Sequence, residues 1–209
     1  MPDEDLIRAW DDLIARYTAD PAAAATGRAL LASWAEPHRQ YHTLSHLRDV
    51  LTHIEELADD AVDADAVRLA AWYHDCVYRG QPDDEERSAQ RAEAELPALG
   101  LAPSLIAEVA RLVRLTIRHE PEDGDRNGVV LCDADLAVLG IEPDRYRANS
   151  AAIRTEYPHV RDRDYRARRA RVVRALLSGP AVYHSPAARS RWESRARANL
   201  AEELRTLEQ

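Results

Sequence analysis

Apolar residues recur three and four positions apart along nearly the whole chain, and no stretch alternates as a strand would. That spacing leaves little besides packed helices, and seven glycines and eleven prolines mostly punctuate it. An opening helix is expected over residues 3–19 and a second over 26–36, ended by Pro37. Thr43 is placed to cap a third that runs to about residue 57, with Leu47, Val50, Leu51, Ile54 and Leu57 on one face. Residues 65–78 read as a fourth, apolar almost all round, as in a helix buried on most sides. After a turn at 80–83, Asp84 is expected to cap a helix over 85–96. Pro103 opens another, carrying Leu105, Ile106, Val109, Leu112, Val113 and Thr116 on one face. A polar loop at 121–128 precedes a short apolar helix over 129–139, ended by Gly140. Helices over 143–157, 162–177 and 187–207 bring the total to about ten. The expected fold class is all-α, one bundle over residues 1–209.

Composition narrows the function. The 28 basic residues are all Arg and face 37 Asp or Glu, for a net charge of −9. An acidic chain is a poor partner for nucleic acid in general. The absence of Lys excludes Schiff-base and P-loop chemistry, and with the absence of Phe it fits a GC-rich coding bias. No apolar run reaches membrane-spanning length, and Met1-Pro2-Asp3-Glu4-Asp5 lacks a signal-peptide pattern. Two Cys give no disulfide framework, and Cys76 and Cys132 read as small buried residues. A cytoplasmic protein is expected.

Four places put His or Asp where an apolar helix should carry Leu. They are His46, the pair His74-Asp75, His119, and Asp133-Ala134-Asp135. A buried carboxylate without a partner costs several kcal/mol, so these groups must be satisfied together. A divalent metal ion would do so for His46, His74, Asp75 and one further Asp. Asp133 and Asp135 lie about 200° apart around a helix, so only one can serve. Asp135 shares its face with Leu131, Val138 and Leu139, which favours it.

The ordered set His46, His74-Asp75, Asp135 resembles the HD superfamily of metal-dependent phosphohydrolases, in its bacterial branch of predicted HD phosphohydrolases. The stretches that carry the resemblance are Arg39-Gln40-Tyr41-His42-Thr43-Leu44-Ser45-His46, Trp72-Tyr73-His74-Asp75-Cys76-Val77-Tyr78 and Glu85-Glu86-Arg87-Ser88-Ala89. Thr116-Ile117-Arg118-His119, Asp133 to Gly140, Arg154-Thr155-Glu156-Tyr157 and Ala196 to Leu200 continue it to the C-terminal part. Asp84 stands where that branch usually has Asn. The resemblance implies an all-helical fold with one divalent ion (Mn, Co, Ni, Fe, Zn or Mg) held by His46, His74, Asp75 and Asp135. It places that metal-binding core at about 39–140 and a C-terminal helical part at 141–209. The implied activity is hydrolysis of a phosphate ester of a small molecule, a nucleotide among the candidates. A two-iron HD oxygenase and a non-catalytic nucleotide-binding module are the alternatives. Only His119 lies between Asp75 and Asp135, which argues for one ion.

Roles follow from residue chemistry. Asp75 is a ligand that could also accept a proton from water, and Glu85 is either a base or a carboxylate complementing a helix N-terminus. His119 is either a proton donor or phosphate ligand, or a His favoured at a helix C-terminus. His42, four residues before His46, reads as a group that meets substrate or braces a ligand, and His53 as structural. Residues 161–174 hold seven Arg and two Asp; a solvated face is one account, and a phosphate grip by Arg169, or by Arg154 nearby, is the other. Trp10, Trp34 and Trp192 belong to the core or to an interface, and a homodimer is a candidate assembly.

Overall fold

The computed structural model describes residues 3–209; Met1 and Pro2, the start of the N-terminal pattern read above, lie outside the described residues. Ten α-helices and no strand occur among the described residues, so the all-α class holds. They are α1 (Glu4–Ile14), α2 (Ala22–Trp34), α3 (Leu44–Leu57), α4 (Ala64–Tyr73) and α5 (Asp84–Glu95). The remaining five are α6 (Pro103–Leu115), α7 (Arg126–Leu136), α8 (Pro143–Thr155), α9 (Asp162–Ser178) and α10 (Pro186–Leu207). Short 3-10 turns follow α3, α5 and α7. None of the helices among the described residues is long and apolar enough to cross a membrane.

Several helix ends differ from expectation, each for a local reason. The first helix stops at Ile14 instead of 19, and α2 starts at Ala22 because Asp20 accepts the Ala22 N–H at 2.8 Å. Thr43 stands at the cap of α3, yet its hydroxyl donates to the Tyr41 carbonyl and not to the helix. Asp84 does not cap α5 either; its buried carboxylate accepts the N–H groups of Arg79 and Gln81, tying down the preceding turn. The seventh helix starts three residues earlier than expected, because Asp125 accepts the Gly128 N–H. The fourth ends at Tyr73, not 78, which leaves His74 and Asp75 in the turn beyond it.

Two apolar clusters hold these helices. The larger joins α1 to α7 around Trp10, Trp34 and Trp72, none more than 1 % exposed, with Trp10 and Trp72 edge-to-face at 5.3 Å. Each of the first two also satisfies its indole N–H, on the carbonyls of Ala23 and Trp72. The smaller gathers Leu139 from the turn after α7, Tyr146, Val173 and Leu200 from α8 to α10, and Tyr183 from the loop before α10; Trp192 of α10 packs on both clusters. Trp10 and Trp34 are therefore core, and Trp192 is the seam. His53 stacks edge-on against Trp192, with ring centroids 5.0 Å apart. Both cysteines are buried and free.

Gly27 of α2 packs directly against Trp10. A Cβ there would stand 2.3 Å from Cδ1 of the buried Trp10 ring. Gly27→Ala is expected to cost about 1–3 kcal/mol by overpacking, read as a melting temperature lower by several degrees in circular dichroism.

Candidate metal centre

Three elements deliver the polar group the sequence singled out. The N-terminal turn of α3 gives His46, the turn after α4 gives His74 and Asp75, and α7 gives Asp135. Ending α4 at Tyr73 matters here. Successive residues on a helix point about 100° apart, and the turn brings His74 and Asp75 to one side. Arg39 holds that turn in place. Its guanidinium, with no exposed side-chain surface, donates to the carbonyls of His42, Asp75 and Cys76 and lies against the Trp34 and Tyr78 rings.

The donor atoms converge. His74 Nε2 stands 3.3 Å from His46 Nε2, 3.3 Å from Asp75 Oδ2 and 3.6 Å from Asp135 Oδ1. Asp135 Oδ1 is in turn 3.1 Å from His46 Nε2. His46, His74 and Asp75 could hold a metal ion, because one donor atom from each lies within 4.8 Å of the others. Donors bound at about 2.1 Å stand roughly 3.0–3.4 Å from their neighbours, which matches these separations. The other ring nitrogens are engaged elsewhere. His74 Nδ1–H donates to the Ala71 carbonyl at 2.8 Å, and His46 Nδ1 meets the Tyr41 hydroxyl at 3.3 Å. Backbone and hydroxyl partners of this kind fix the ring so that Nε2 faces a cation. Two imidazole Nε2 atoms with the Asp75 carboxylate suit a positive charge between them, and Asp135 Oδ1 lies beside both imidazoles.

Electrostatics agree. Burial alone would lower the His74 pKa; the carboxylates of Asp75 and Asp135 outweigh it and push it up to about 9. Burial alone would raise Asp75 and Asp135, yet the neighbouring imidazoles hold both carboxyls well below the usual range. Glu85 goes the other way: burial, with Asp75 and Asp84 nearby, raises its pKa.

The group opens into a cavity of about 250 Å³ whose walls include His42, Glu85, His119 and Arg169. His42 is pinned by Glu156, which accepts His42 Nδ1–H at 2.7 Å and the backbone N–H groups of Gln40, Tyr41 and His42 at 2.7–3.1 Å. The ring also stacks on Tyr78 at 4.1 Å, so its Nε2 is left toward the cavity, 3.9 Å from Asp75. His119 Nε2 donates to Asp135 Oδ2 at 2.7 Å, leaving Nδ1 as its free nitrogen. Arg169 reaches the cavity wall while paired with Glu203 through two bonds of 2.9 and 3.0 Å. Arg154 does not line this cavity. It donates to the carbonyls of Tyr157 and Val160, lies over the Tyr165 ring and borders a larger space of about 690 Å³ between α8, α9 and α10. Most other Arg of residues 161–174 are exposed on α9, the solvated face.

Asp133 and Asp135 have separate tasks. Asp133 is fully buried and accepts the backbone N–H groups of His184 and Ser185, both at 2.7 Å, at the entry to α10. Asp133→Ala strands those two amides, and a loss of about 2–4 kcal/mol in urea unfolding is expected.

Arg39, Glu156 and His184 were not assigned roles from sequence. Glu156 did carry a signal: a carboxylate just past a helix C-terminus opposes the macrodipole and needs a reason. Comparison with family models, curated proteins and solved structures finds no match for this chain.

Proposed function

We propose that the protein is a metal-dependent phosphohydrolase of the HD type, hydrolysing a phosphate ester of a small molecule. The observation that carries this reading is the pair of imidazole Nε2 atoms 3.3 Å apart with the carboxylates of Asp75 and Asp135 closing on them. His46, His74, Asp75 and Asp135 would hold one divalent ion. Such an ion polarises a phosphoryl oxygen and lowers the pKa of water toward neutrality.

The chain's own groups supply the rest. Glu85, with its raised pKa and no hydrogen-bond partner among the described side chains, holds or takes a proton at its carboxyl beside the cavity. His42, oriented by Glu156, offers Nε2 to a phosphate or leaving oxygen. Arg169 adds positive charge at the far wall, tempered by Glu203. A cavity of about 250 Å³ admits a phosphoryl group and a small leaving group.

Elemental analysis of the purified protein, followed by a phosphate-release screen with Mn, Co, Ni and Mg, tests this. About one ion per chain and phosphate release that depends on it are expected. A protein that takes up no ion after reconstitution would overturn the reading.

A further inference from the structure

His119 is the one non-glycine residue among the described residues with left-handed backbone, at φ +54°. It follows the end of α6, a place usually filled by glycine because a Cβ is unfavourable there. Glycine has no imidazole. His119 uses its own to donate to Asp135 Oδ2, while Asp135 Oδ1 faces His46 and His74. The ring thus sets which way the Asp135 carboxylate is turned.

Something must hold His119 in that backbone state. Its carbonyl oxygen accepts Nε2–H of His184 at 3.0 Å. A carbonyl only accepts, so His184 carries a proton on Nε2. His184 is itself fastened: its backbone N–H lies on Asp133 Oδ1, and that of Ser185 on Asp133 Oδ2. Asp133 and Asp135 are two residues apart on α7, on different faces. The four residues therefore close a ring: Asp133 fixes His184, His184 fixes the His119 backbone, and His119 fixes Asp135. The ring ties the end of α6 and the entry to α10 to one helix that carries an ion donor.

We propose that His184 is a positioning residue for the Asp135 carboxylate, acting through His119. The proposal rests on reading that carboxylate as part of a metal centre. It accounts for three observations at once: a strained non-glycine residue, a His held by its own backbone, and two carboxylates on one helix with different partners. Groups that brace a ligand commonly alter metal affinity by about 10–100-fold when removed.

The test has two arms. In metal-free protein labelled with ¹⁵N-histidine, the ring nitrogens of His119 are compared in wild type, His184→Ala, His184→Leu and His184→Gln. Leu fills the space without a donor, which keeps the comparison available should Ala fail to fold; Gln keeps an N–H donor. The His119 Nε2 signal is expected to move in Ala and Leu and to return toward wild type in Gln. In the second arm Co²⁺ is titrated and its visible spectrum recorded. Affinity is expected to fall about 10–100-fold in Ala and Leu, with a changed spectrum, and to recover in Gln. In a His119→Ala background, His184→Ala should cost nothing further, because its only route is gone. An unmoved His119 signal, or a full additional loss in the His119→Ala background, would overturn the proposal. If wild type takes up no Co²⁺, the metal reading falls, and the nitrogen signals still decide whether His184 positions His119.

Discussion

If the proposed metal centre is right, His74→Ala is expected to abolish ion retention and, with it, phosphate release. The imidazole is 1 % exposed and sits at the centre of the group, within 3.3–3.6 Å of His46, Asp75 and Asp135. Ion content should fall from about one per chain to under about a tenth, because one fewer neutral nitrogen leaves two carboxylates and a single imidazole. Turnover should drop by at least about a hundredfold, the upper range for losing a mere supporting group. Elemental analysis beside a phosphate-release assay reads both. A variant with unchanged ion content would sink the assignment of His74 as a ligand.

Glu156→Gln is expected to cost stability in a pH-dependent way. The side chain is 1 % exposed and its carboxylate serves three backbone N–H groups and one imidazole. Burial alone would raise its pKa; the His42 bond and charge, with the backbone amides, bring it down to about 2 from 4.5. That depression corresponds to about 3 kcal/mol of stability. Because the folded-state pKa is the lower one, this contribution is complete above about pH 4.5. It is lost as pH falls toward 2. Urea unfolding at pH 7 should therefore show the Glu156→Gln variant less stable by about 3 kcal/mol, or on the order of 10 °C in melting. The gap should close on acidification through that window. A constant gap from pH 7 to pH 2.5 would show that the carboxylate charge is not what holds the 40–42 turn.

The fold class was legible because the 3.6-residue period persists through nearly every element, and burial follows it: Leu47, Val50, Ile54 and Leu57 lie on the inner face of α3 as spaced. Helix ends were less legible. Nothing in Trp72 to Tyr78 breaks a helix, and α4 stops at Tyr73 where Arg39, thirty-six residues earlier in sequence than Asp75, takes the carbonyls of Asp75 and Cys76. No local pattern reports such a contact. The choice between Asp133 and Asp135 was argued from one buried face, and α7 turned out to be enclosed on more than one side, so both carboxylates are satisfied, by different partners. The convergence of His46, His74, Asp75 and Asp135 was foreseeable, since each placed a polar group on an apolar surface. The partner of His184 lies sixty-five residues away and had no signature. Arg154 and Arg169 looked equivalent by charge; only packing separates the one on loop carbonyls from the one at the cavity wall.

The seam at Trp192 has a kinetic consequence. The proposed ion donors all belong to elements up to α7, while Tyr146 and Ser150 of the cavity wall lie on α8 and Arg169 on α9, with Tyr146 in the smaller cluster. Cooperative opening units in proteins tend to follow such divisions. The C-terminal helices can therefore exchange their amide hydrogens through a partial opening that unroofs the cavity and leaves the donors assembled. Asp133 sits on the α7 side of that division and grips the entry to α10. Such an opening must break those two hydrogen bonds and also the four that Glu156, at the end of α8, makes to residues 40–42.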